Sequence, residues 1–136
     1  MAKILCPVDG SDHAATGLAH AADLAKLRGA HLTICAVNLA LGGARGPTIN
    51  QWTDEEAEAL LAKAEAEAMA LGATDVGTAV LVAREAAAAI VTYAGEIGAD
   101  QIVMGTGDKR GVKRLVLGSV AAEVAGHAGC SVTVAR

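Results

Sequence analysis

The sequence predicts an α/β fold: an open five-stranded parallel sheet in the order 3-2-1-4-5, with helices on both faces. Two observations predict it. Short apolar runs alternate with helical patterns along all 136 residues, joined by mostly short connections. That is the pattern of right-handed βαβ units. The composition, 53% hydrophobic and 19% charged, supplies a core and argues against disorder. The length fits one domain, residues 1–136.

Lys3–Val8 (KILCPV) is a short apolar run ending at the turn signal DGS, and so a buried strand. Ser11 or Asp12 caps a helix over Asp12–Arg28. Its apolar stripe is Ala14, Ala15, Leu18, Ala21, Ala22 and Ala25, and Gly29 stops it. His31–Val37 is the second strand. A glycine-rich connection, NLALGGARGPTINQW, then runs from Asn38 to Trp52, long enough to be mobile or functional. Thr53 and Glu56 form a capping box, with Trp52 as the staple before it. The helix they start covers Asp54–Leu71, buries Ala57, Leu60, Leu61, Ala64, Ala68 and Leu71, and ends at Gly72. Val76–Val82 is the third strand, with Val76, Thr78, Val80 and Val82 on one face. The third helix spans Arg84 to Ile97 and buries Ala86, Ile90, Ala94 and Ile97. Gln101–Gly105 is the fourth strand, Ser119–His127 the fourth helix, broken by Gly129, and Ser131–Ala135 the fifth strand.

Composition narrows the function classes. A formal charge of -4 argues against nucleic acid as a partner, and one Trp, one Tyr and no Phe leave almost no base-stacking platform. No apolar run reaches the roughly 18 residues of a membrane span. The start MAKILCPVDG lacks the apolar region of a signal peptide, so the cytoplasm is the expected location. Cys6, Cys35 and Cys130 have neither CxxC nor metal-ligand spacing, and read as small buried hydrophobes in a reducing compartment. His13 and His20, with Thr16 and Asp23, fall on the exposed face of the first helix. His31 begins a strand, and His127 ends a helix. No base, nucleophile or triad stands out, so no catalytic residue and no enzymatic activity is expected.

Open parallel sheets bind ligands beyond the carboxyl ends of their strands, where the strand order reverses. Here that point lies between the first and fourth strands, which end in Pro7-Val8-Asp9 and Met104-Gly105. Asp9 suits either a ribose hydroxyl or exocyclic amine, or an Asx-turn that only caps the following turn. Gly105 permits a close backbone approach. Gly118-Ser119 opens the fourth helix, whose first N–H groups and positive dipole end face any anion placed there. Residues 105–119 read GTGDKRGVKRLVLGS. One or two of Lys109, Arg110, Lys113 and Arg114 suit phosphate, while the stems of Lys113 and Arg114 can cover Leu115–Leu117. The stretch is neither a P-loop GxxxxGK[ST] nor a dinucleotide GxGxxG.

The opening KILCPVDGSDHA and the ending VMGTGDKRGVKRLVLGSVAAEVAGHAGCSVTVAR resemble those of the universal stress protein family, and length and element order match end to end. The resemblance implies the adenine nucleotide alpha hydrolase-like version of this sheet, with ATP, accompanied by Mg or Mn, at the switch point. Nucleotide-binding members carry a Gly-x2-Gly-x9-Gly-Ser/Thr motif. Carried over, Gly105 is its first glycine and Gly118-Ser119 its last pair. Asp9 then faces the adenosine, Pro7, Val8, Val37 and Met104 form apolar walls, and Val120 adds an N–H near the phosphates.

The motif's second glycine is replaced by Asp108, and Gly107 stands one place early. A carboxylate there repels a triphosphate by ~1 kcal/mol even in a high-dielectric site. Lys109 and its basic neighbours supply compensating charge. Asp108 can also turn to solvent, pair with one of them, or hold a divalent cation through water. The resemblance therefore implies a nucleotide-binding regulatory module of the stress response, whose state an unidentified regulatory protein reads. The alternative is a dimeric stress protein without nucleotide, acting through protein–protein interaction. In both, the apolar edge strand Ser131–Ala135 pairs across a twofold axis to form a homodimer.

Overall fold

The structure is a computed structural model of the chain, and residues 2–106 and 118–136 are described. The elements in order are β1 (Lys3–Pro7), α1 (Asp12–Arg28), β2 (His31–Gly42), β3 (Thr48–Asn50), α2 (Asp54–Ala70), β4 (Val76–Ala83), α3 (Ala86–Ile97), β5 (Gln101–Gly105), α4 (Ser119–His127) and β6 (Ser131–Ala135).

Local chemistry explains where the first two helices begin. Ser11 Oγ accepts from Ala14 N–H at 3.1 Å, and Gly29 closes α1 in the left-handed region at φ 62°. The capping box of α2 is complete: Thr53 Oγ1 accepts from Glu56 N–H at 3.1 Å, and Glu56 Oε1 accepts from Thr53 N–H at 2.8 Å.

β1 lies between β2 and β5, parallel to both; β4 joins the far side of β2 and β6 joins β5, again in parallel. The α/β class and a mostly parallel sheet are as expected. The strand count is not. β3 is a sixth strand, antiparallel to the end of β2 through Ala40↔Asn50, Leu41↔Ile49 and Gly42↔Thr48. The connection expected over Asn38–Trp52 is thus a β-hairpin arm. Its turn passes through Gly42 and Gly43 at φ 76° and 94°, conformations that glycine adopts without steric cost. Dense Gly and Pro hid the two apolar strand ends that flank the turn.

Alternate residues of the central strands feed two cores, as a sheet covered on both faces requires. Ile4, Cys6, Leu32 and Ile34 pack with Leu18 of α1 and Leu61 of α2. Leu5, Cys35, Ile102 and Met104 pack with Ile90 of α3 and Val124 of α4. Several expected positions shift. Ala15 is exposed, and Gly17 takes its place in the buried stripe of α1. Leu60 is half-buried, and Leu71 is 50% exposed because it is the C-cap and not the last helical turn. α3 begins two residues late, so Ala87 is buried while Ala86 and Ile97 are only partly covered. Of the valines on one face of β4, Val76 packs on the core, whereas Val82 is 62% exposed.

Candidate functional site

A cleft of about 230 Å3 opens at the carboxyl ends of β1 and β5. Pro7, Val8, Asp9, Val37, Met104, Gly105, Ser119 and Val120 all line it. Gly118 is the N-cap of α4. Asp108 and Lys109, with Gly107 and the rest of the basic segment through Leu117, lie outside the described residues.

Backbone bonds shape this end of the sheet. Val8 N–H donates to Cys35 C=O at 2.8 Å, carrying the chain one residue past β1 before it turns. Asp9 Oδ1 then accepts from Ser11 N–H at 2.9 Å, so the Asx-turn is formed. One carboxylate oxygen serves that turn, and Asp9 is exposed at the rim of the cleft. Across the cleft, Gly118 N–H donates to Thr106 C=O at 2.8 Å, which brings the start of α4 against the end of β5. The first-turn N–H groups of α4 have no intrahelical acceptor, and its positive dipole end faces the same space.

Gly105 is close to backbone, but to backbone of its own chain. A Cβ on Gly105 would overlap the His13 carbonyl, and one on Gly17 would sit 2.5 Å from Gly105 N. Two glycines therefore let α1 lie directly on β5. This contact also corrects the placement of His13 on a solvated face. His13 is half-buried, lines the cleft, and has Nδ1 3.4 Å from Thr106 Oγ1. His20 is exposed. His31 Nδ1 lies 2.9 Å from Asp75 Oδ1, and His127 Nδ1 2.9 Å from Glu123 C=O.

The hairpin arm supplies lining that sequence patterns did not indicate. Leu39, Gln51 and Trp52 face the cleft, as do Ser11, Ala14, Ala86 and Ala121. Gln51 N–H donates to Leu39 C=O at 2.8 Å. Asn38 Nδ2 donates to Trp52 C=O, and Asn38 Oδ1 accepts from Trp52 N–H, both at 2.9 Å. Alternation along β2 from Val37 was a usable signal for Leu39. The side-chain bridge of Asn38 left no such signal.

Cys6 and Cys35 lie in strands that end at the cleft, and both are buried. Burial pushes the Cys35 thiol up to about 12. Burial, then the neighbouring Cys35, pushes Cys6 further up. Burial thus favours the neutral thiol at both positions, the weaker nucleophile of the two forms.

The family model described as Universal stress protein family matches residues 1–136. A universal stress protein of Methanocaldococcus jannaschii is 35% identical over 140 residues, covering 98% of this chain and 81% of the relative. Among solved structures, a universal stress protein from Archaeoglobus fulgidus is 30% identical with a TM-score of 0.78, covering 100% of this chain and 98% of that one. The universal stress protein from Archaeoglobus fulgidus in complex with dAMP is 29% identical, with a TM-score of 0.74 and the same coverage.

Proposed function

The chain belongs to the universal stress protein family, and from that premise we propose that it is an adenine-nucleotide-binding regulatory module. One observation carries the proposal: the switch-point cleft has an apolar side at Val8, Val37 and Met104 and a helix N-terminus at Ser119 and Val120. An adenosine fits the first, and phosphates fit the second. Asp9 would accept from a ribose hydroxyl. The dAMP complex of the Archaeoglobus fulgidus relative supports the ligand class. Mg or Mn would arrive with the phosphates of ATP.

No catalytic step is included. Occupancy would change a surface that a regulatory partner reads. The homodimer would form through β6, which among the described strands pairs with β5 alone and ends the sheet. Titration of the purified chain with ATP tests the proposal: saturable binding below millimolar concentration is expected, and no binding at millimolar ATP overturns it. A monomer at micromolar concentration would remove the dimer.

A second function has one observation in its favour: Asp108 stands where the family motif has its second glycine. It is a dimeric interaction protein without nucleotide. Asp108→Gly separates the cases. Tighter ATP binding marks the carboxylate as an obstacle, weaker magnesium-dependent binding marks it as a cation holder, and no change places it outside the site.

A further inference from the structure

We infer that Asn38 is a positioning residue of the cleft: its buried carboxamide stands in for a peptide group and holds Gln51 and Trp52 in place as one wall.

The register of the hairpin arm shows how. Ala40, Leu41 and Gly42 pair antiparallel with Asn50, Ile49 and Thr48. One step further, Leu39 and Gln51 still share a backbone bond of 2.8 Å. At the next step the backbone ladder stops, and the Asn38 side chain continues it. A carboxamide has one carbonyl acceptor and an NH2 donor, the same complement as a peptide unit. Asn38 uses both, on the N–H and the C=O of a single residue, Trp52, at 2.9 Å each.

The location makes this more than a core hydrogen bond. Asn38 is 1% exposed, and its own buried carboxamide is satisfied through Trp52. Its backbone belongs to the parallel sheet, paired with Val82 of β4. The residue it grips is the last before the Thr53 cap of α2. Asn38 therefore ties the sheet to the point where the arm becomes a helix, and Gln51 and Trp52 face the cleft from that point. No other side-chain bond among the described residues holds these two.

The ligand half of the inference rests on the adenine-nucleotide function proposed above; the wall half does not. Trp52 is the chain's single Trp, so its emission reports the wall directly. The full-length chain carrying Asn38→Leu is compared with wild type by acrylamide quenching of Trp52 without nucleotide, by ATP titration, and by thermal unfolding. Quenching is expected to rise and ATP affinity to fall about tenfold, while unfolding stays cooperative. Ile90→Val, a core change in α3 at a residue that does not line the cleft, is expected to lower stability without moving quenching or affinity.

Unchanged quenching in N38L overturns the positioning role. Raised quenching with unchanged ATP affinity overturns the wall's part in ligand binding. If N38L does not fold, Asn38→Ser, which keeps a single hydroxyl for the bridge, decides on the same two measurements. If wild type itself binds no ATP, the proposed function fails, while the quenching comparison still decides the role of Asn38.

Discussion

On one side of the cleft two backbones touch because Gly17 and Gly105 have no side chains. On the other, a single carboxamide reaches a residue fourteen positions away and fixes a hairpin arm. The first wall is sterically intolerant: α1 lies on β5 with no room for a methyl group. The second is polar and more forgiving, because it depends on two hydrogen bonds and not on interpenetrating backbone. A perturbation of the first should disturb the sheet itself. A perturbation of the second should release the arm and leave the sheet intact.

The strongest way to break that contrast is Gly105→Ala. Its Cβ falls on the His13 carbonyl, so the helix or the strand must move, and a loss of about 3 kcal/mol in denaturant unfolding is expected. Cys6 and Cys35 should then react with a thiol reagent, although both are buried in wild type. Asn38→Leu should cost about 2 kcal/mol, from two hydrogen bonds lost to the Trp52 backbone, yet leave both thiols protected. Equal thiol exposure in the two variants would erase the distinction between the walls.

Gly17→Ala sharpens the steric side. In an open helix the change would stabilise by about 1 kcal/mol. Here the new Cβ would lie 2.5 Å from Gly105 N and 2.7 Å from Met104 C, so a net loss of about 1 kcal/mol is expected. The sign of the measured change is decisive. Alkali tests the buried thiols without any substitution. Unfolded thiols ionise near the ordinary value of 9.0, whereas buried Cys35 is raised to about 12. The unfolded state then binds fewer protons. The contribution is intact below pH 9 and declines as pH rises toward 12, which unfolding midpoints on either side of pH 9 will show.

Much of this was legible before any coordinates. Caps at Ser11 and Thr53 and stops at Gly29 and Gly72 are local chemistry. The switch-point residues Pro7, Val8, Asp9, Met104 and Gly105 follow from strand order. The arm was not legible, because GGARGPT carries the signals of a loop whether or not its flanks pair. Nor was His13, whose helical position looks solvated until Gly105 brings β5 beneath it.

By itself the sequence determined the alternation of strands and helices, the helix caps, and the two junctions that meet at the cleft. Each of these depends on spacing within a few residues. Only the tertiary structure decided which backbone Gly105 approaches and what the Asn38 carboxamide bonds. A steric contact and a hydrogen bond between distant segments are set by how elements pack, and that distance leaves no periodic trace in the chain.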